Sequence, residues 1–186
     1  MKLNLGCGNH HLNGYLNVDK VGRADTLCDL ESLPWPWENN SVQEIVMRHV
    51  LEHLGQKSDT FLGIMQEIYR VCRDGAVITI TVPHPRSDSF LDDPTHVRPI
   101  TVNGMALFSK AKNLEWAERG AANTPLGLIL DVDFELTDSR FNLDEPWLSK
   151  LQQGVLTTEQ IFEAERHQFN VVHEIEIVLT VRKPAQ

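Results

Sequence analysis

Three groups of residues in this chain have the types and the spacing to do chemistry. The first is Gly6-Cys7-Gly8-Asn9 followed by Asp19. Glycines without a Cβ let a ligand lie against the backbone at the end of a strand, and an acid closing the next strand accepts hydrogen bonds from ribose hydroxyls. The second is the run from Arg48 and His49 to His53. The third is the segment from His84 to Arg98, which holds two histidines, three aspartates and two arginines in fifteen residues. Histidine titrates near neutral pH and can take a proton from a hydroxyl, so His84 and His96 are the two base candidates.

Spacing narrows the ligand of the first group. A dinucleotide fingerprint needs a third glycine and an acid about twenty residues on, so that a whole helix can face a pyrophosphate. Here His11 stands at the third glycine position and thirteen positions separate Gly6 from Asp19. NAD and FAD therefore fit poorly. A tight turn between two core strands would use the same glycines, and the pair alone does not separate the two readings.

His49 and His53 lie four apart, a spacing that serves metal ligation or a helix end. No third ligand is adjacent in the sequence, so no metal ligand is assigned. In the third segment a hard cation would prefer the aspartates and a softer one the histidines. Asp93-Pro94 is also a good turn in its own right, and loop salt bridges account for the same charges.

Around these residues, short apolar runs mark strands at Lys2 to Leu5, Tyr15 to Val18, Thr26 to Leu30, Val42 to Met47 and Ala76 to Val82. Phe61, Ile64, Met65, Ile68 and Cys72 recur at helical spacing, which predicts a helix over Ser58 to Arg73 with Ser58 as its cap and Gly75 as its left-handed stop. Helical spacing resumes at Thr101 and runs toward Trp116. Alternation then predicts a sixth strand over Leu128 to Leu136, a helix over Thr158 to Gln168 and a seventh strand over Ile175 to Val181. Trp35 and Trp37, set between Pro34 and Pro36, read as a hydrophobic plug, and Trp147 as a core side chain or an aromatic lid.

Several motifs in this order resemble one family. The run Leu5-Gly6-Cys7-Gly8, the acid Asp19, Asp29-Leu30 ahead of Leu33-Pro34, the segment His49-Val50-Leu51-Glu52-His53 and the Arg70-Val71-Cys72-Arg73-Asp74-Gly75 exit are similar to the class I S-adenosylmethionine-dependent methyltransferases, in particular their small, type-11-like branch. The match covers about the first ninety residues. It implies a Rossmann-like α/β fold, a seven-stranded mostly parallel sheet with the last strand antiparallel, and S-adenosylmethionine as cofactor. Carried over residue by residue, it implies that Gly6, Cys7, Gly8 and Asn9 face the methionine portion and Asp19 the ribose. Asp29 with Leu30 would meet the adenine, and Arg48 and His49 would form the wall beside the sulfur. Residues 1–83 would be the cofactor-binding half and 84–186 the substrate-side half of a single domain.

The chain departs from that family in one respect. The links from Gly8 to Gly14 and from Lys20 to Asp25 are shorter than the dozen residues a crossover helix needs, so two covering helices are missing. The strands alternate apolar with polar residues, Asn4 and Asn17 among Leu3, Leu5, Leu16 and Val18, then Thr79 and Thr81 among Ile78, Ile80 and Val82. Such alternation marks a sheet with one weakly covered face. Either the C-terminal half or a second subunit, making a homodimer, is expected to cover it.

Composition sets the outer limits. At 186 residues and 41% hydrophobic the chain can build one core. The formal net charge is −9 with no basic run, which disfavours a nucleic-acid substrate and favours a cationic small molecule. No apolar stretch is long enough to span a membrane, and Met1 leads straight into a strand, so no membrane partner is expected. With three widely spaced cysteines this points to the cytoplasm. The expected activity is methyl transfer to oxygen or nitrogen of a small polar acceptor. A catalytically silent module of the same fold, and a metal-dependent hydrolase built on the loop from His84 to His96, are the alternatives.

Overall fold

In a computed structural model of the chain, which describes residues 1–184, four strands come first with no helix among them: β1 (Lys2–Leu5), β2 (Leu16–Asp19), β3 (Thr26–Leu27) and β4 (Val42–Arg48). A single 3-10 turn (Leu51–His53) leads to α1 (Ser58–Val71) and β5 (Cys72–Pro83). Then follow α2 (Asp88–Leu91), α3 (Val102–Ala106), α4 (Lys110–Glu118), α5 (Leu126–Ile129), β6 (Phe134–Leu143), α6 (Trp147–Gln152), α7 (Thr158–His167) and β7 (Val172–Val181). The seven strands form one sheet in the order β3-β2-β1-β4-β5-β7-β6, and β7 alone runs antiparallel to its neighbours. This is the Rossmann-like arrangement expected.

One face of the sheet is the core. Leu3, Leu5, Ile45, Met47, Ile78, Ile80, Ile177 and Leu179 are all fully buried there. The stripe of Phe61, Ile64, Met65 and Ile68 on α1 belongs to the same cluster, as do Phe108, Val132 and Phe134 from the β5-to-β6 crossover. Each such side chain stabilises the fold by about 1.5–3 kcal/mol, so the crossovers that carry them are not optional.

Among the described residues no connecting helix covers the opposite face. Register puts Glu44, Lys2, Val77 and Thr180 in one row across it, and Asn17, Asn4, Val46, Thr79 and Val178 in the next. Asn4 and Asn17 are nevertheless only 3% and 6% exposed. The short link between β1 and β2 lies over them and is held by their amides. Asn4 Nδ2 donates to the His10 carbonyl and to Asn17 Oδ1, which also accepts from the Leu12 N–H, while Asn17 Nδ2 donates to Asp25 Oδ2. A polar ladder does here what a packed helix does elsewhere, because ten residues cannot close a helical crossover.

Several boundaries differ from expectation. Ser58 is the first helical residue of α1 and not its cap, and α1 ends at Val71 with Cys72 already extended. Gly75 (φ +71°) does not stop the helix. It sits in β5, where the pairing jumps from Val42–Cys72 to Glu44–Val77 and the extra β5 residues must bulge. β3 has two residues because the chain turns at Asp29, whose carbonyl accepts from the Ser32 N–H. The helix from Thr101 breaks after Ala106 and restarts under the side-chain cap of Ser109, since the Leu107 and Phe108 carbonyls are taken by Gly127 and Phe134. The sixth strand runs Phe134–Leu143, not Leu128 to Leu136, and Leu126–Ile129 is a helical turn after Pro125. As an edge strand it carries a polar, exposed middle, Thr137 to Arg140, with no alternation to read. Trp35 and Trp37 are buried edge to face with ring centroids 5.6 Å apart, as a plug should be. Trp147 is half-buried with the Lys150 ammonium over its ring, so it is not a core residue.

Candidate active site

The glycine turn leaves β1 under steric compulsion. Gly6 has φ +66°, and a Cβ there would stand 2.3 Å from Val50 Cγ2, so only glycine lets the turn lie against the segment leaving β4. Cys7 N–H donates to the Val18 carbonyl (3.0 Å), and Gly8 N–H donates to Asp19 Oδ2 (2.8 Å). The other Asp19 oxygen accepts from Val21 N–H at 3.2 Å. Each carboxylate oxygen keeps capacity for a further donor. Burial, then the neighbouring Asp19, pushes the Cys7 thiol up, which disfavours its thiolate. Asn9 is exposed beside it.

Along the same edge, Asp29 follows β3. Its Oδ2 pairs with Lys20 Nζ at 2.9 Å and its Oδ1 accepts from Glu31 N–H. Lys20 first, then that N–H, hold its carboxyl below the usual range. Leu30 turns its side chain into the core and its carbonyl to Trp35 Nε1. Glycine turn, Asp19 and Asp29 thus line up along the carboxyl ends of β1, β2 and β3.

Arg48 ends β4 and His49 follows it directly. His49 has φ +52°, a sparsely populated conformation for a side chain with a Cβ. Its N–H donates to the Thr81 carbonyl, its Nε2 meets Glu174 Oε2 at 2.8 Å, and its Nδ1 lies 3.4 Å from Glu52 Oε1. The last separation is that of an ion pair without the alignment of a hydrogen bond, since both Glu52 oxygens lack a hydrogen-bond partner among the described residues. Glu52 foremost, with Glu174, holds the His49 imidazole above its ordinary value. A cavity of about 410 Å³ opens here on the uncovered face, with Gly6, Cys7, His10, Arg48 and His49 on its wall. Asp19 and Asp29 lie outside it, farther along the strand ends.

The two base candidates do not come together. His84 is buried, and its Nδ1 accepts from the Arg86 N–H (3.1 Å) while its Nε2 faces Glu165 Oε1 (3.2 Å). Burial outweighs Glu165 and keeps this imidazole below its usual pKa. Glu165 also binds the Arg86 guanidinium, and these residues with Phe141 and Asn103 wall a separate pocket. His96 instead stacks on Phe90 and lies against His53, centroids 4.6 Å apart.

Glu52, Glu165 and Glu174 carry no mark in the sequence that sets them apart as site residues. A glutamate between apolar Val50-Leu51 and Leu54 is the one signal available for the first. The other two reach the site from segments about eighty and a hundred and twenty residues away, with no local pattern.

No family model matches the chain, and no curated protein matches its sequence. Solved structures do match over nearly its whole length. One is a SAM-dependent methyltransferase from Archaeoglobus fulgidus (18% identity, TM-score 0.55, covering 96% of this chain and 85% of that one). Another is a SAM-dependent methyltransferase from Methanosarcina mazei (14% identity, TM-score 0.57, 98% and 92%). A third is the 1,6-didemethyltoxoflavin-N1-methyltransferase of Burkholderia thailandensis, solved with S-adenosylhomocysteine (13% identity, TM-score 0.51, 98% and 71%). The chain has the fold of the class I S-adenosylmethionine-dependent methyltransferases. At these identities the likeness extends to the fold and singles out no branch of it.

Proposed function

We propose that the protein is an S-adenosylmethionine-dependent methyltransferase acting on oxygen or nitrogen of a small polar acceptor. One observation carries the reading: the turn of Gly6 to Asn9, Asp19 and Asp29 stand in sequence along the carboxyl ends of β1, β2 and β3, where open α/β sheets bind nucleosides. The residues fit the cofactor. The backbone of Gly6, Cys7, Gly8 and Asn9 would receive the methionine portion, Asp19 the ribose hydroxyls, and Asp29 with Leu30 the adenine amino group. Arg48 and His49 would wall the sulfur side.

When bound, S-adenosylmethionine supplies an electrophilic methyl group for in-line displacement. The chain's own part is chiefly positioning. Where the acceptor must lose a proton, His84 or His96 would take it; His84 does so only once its Nδ1 releases the Arg86 N–H or its Nε2 proton has passed to Glu165. The net charge of −9 favours a small acceptor over nucleic acid. Cys7, Cys28 and Cys72 are all free, which suits a reducing cytoplasm. Among the described residues no helix is long and apolar enough to cross a membrane.

Calorimetric titration with S-adenosylmethionine and S-adenosylhomocysteine tests the reading. Micromolar binding that Asp19→Ala weakens at least tenfold is expected, since a hydrogen bond to a charged group contributes about 1.5–3 kcal/mol. A folded wild type that binds neither compound would sink it.

A further inference from the structure

We propose that Glu52, His53 and His96 form a binding site for a divalent transition metal of the zinc class, which pins the loop leaving β5 to the turn leaving β4. One ligand atom from each of the three lies within 4.8 Å of the others. The third ligand that His53 lacks in the local sequence is supplied from forty-three residues on.

The carboxylate is the first ground. Glu52 is 0% exposed and neither of its oxygens has a hydrogen-bond partner among the described residues. His49 Nδ1, 3.4 Å from Glu52 Oε1, offsets the charge without a hydrogen bond, and a buried carboxylate with no hydrogen bond to either oxygen is costly. A cation between it and the two imidazoles removes that cost.

The tautomers are the second. His96 Nδ1 lies 2.8 Å from the Phe90 carbonyl, which can only accept, so this nitrogen carries the proton. His53 Nδ1 lies 2.9 Å from Thr95 Oγ1. The single Thr95 hydroxyl proton is committed to Asp93 Oδ1 at 2.6 Å, so His53 Nδ1 must donate as well. In both neutral rings the lone pair is left on Nε2. Imidazoles whose far N–H is fixed by a carbonyl or by a carboxylate-backed hydroxyl are the arrangement metal-ligating histidines use.

The backbone supplies the third. Val97 and Arg98 N–H groups both donate to the Glu52 carbonyl, at 2.9 and 3.2 Å, so the two segments are already tied in register. Ligand atoms on one tetrahedral zinc stand about 3.4 Å apart, given bonds of about 2.0–2.2 Å. Side-chain adjustment of about an ångström closes the set. Two histidines and one carboxylate leave a coordination position open, and the ligand set suits zinc or ferrous iron better than magnesium or calcium.

The test uses the full chain without S-adenosylmethionine, so that it stands or falls apart from the methyltransferase reading. Chelator-treated protein is titrated with zinc by calorimetry and with cobalt by visible absorption. One equivalent per chain is expected, with d–d bands of a nitrogen- and oxygen-ligated cobalt and a raised melting temperature. His53→Gln and His96→Gln should each weaken uptake at least a hundredfold while melting in EDTA as the wild type does. These two variants suffice without Glu52→Gln, which is more apt to disturb folding. Absence of stoichiometric uptake by the wild type, or uptake unchanged in both histidine variants, overturns the proposal. Loss of uptake in His167→Ala instead, whose ring pairs with Glu163 on α7, would overturn it equally.

Discussion

The Gly8 N–H donates to Asp19 Oδ2 across 2.8 Å, so the glycine turn after β1 and the acid that closes β2 are one rigid unit. The bond orients the carboxylate before any ligand arrives, which lowers the ordering cost of binding.

Gly6→Ala should destabilise the fold by at least about 2 kcal/mol, because a Cβ at φ +66° meets Val50 Cγ2 at 2.3 Å. Urea denaturation measures this. Adding Val50→Ala should recover part of the loss, and a double variant as unstable as the sum of the singles would refute the contact as its cause.

Asn17→Ala should cost about 1–3 kcal/mol by leaving the Leu12 N–H without its acceptor, removing one acceptor of Asn4 Nδ2, and leaving Asp25 Oδ2 with the residue 17 N–H alone. Its local signature is faster amide exchange at residues 8–15 relative to β4 and β5. Uniform acceleration would mean that the ladder does not specifically hold the link.

The pH dependence of stability has a defined sign at Glu67. Its carboxylate accepts from Arg70 and from the Trp35 N–H (2.6 Å), and Arg70 foremost holds its pKa below the ordinary value. Below that ordinary value the unfolded chain binds a proton the folded chain resists. The stabilisation is therefore full above about pH 4.5 and is lost as pH falls through the depressed folded value. Glu67→Gln should cost about 1–3 kcal/mol at pH 7 and progressively less toward pH 3. A pH-independent difference would contradict this.

His84 should remain neutral below the ordinary histidine pKa, protonated on Nε2 and not on Nδ1, because burial dominates and the Arg86 N–H occupies Nδ1. Nitrogen-detected NMR reads tautomer and titration together. Glu165→Gln removes the charge that opposes the shift and should lower the pKa further; a rise would show that the pair is assembled differently.

Much of this was legible in the chain. The strand-glycine-strand-acid opening, the Asp29-Leu30 turn and the apolar stripe of α1 are local patterns, and periodicity and turn chemistry act over a few residues, so type and order followed from sequence. Missing covering helices were legible too, because a ten-residue link cannot hold one. Edge strand β6 was misplaced since a strand with one neighbour buries too little to impose alternation. The separation of His84 from His96, the pairing of each with an acid or ring from another segment, and the burial of Glu52 were decided by the tertiary structure alone. A side chain's partners depend on which strand ends and loops the fold brings together, and no spacing along the chain encodes that.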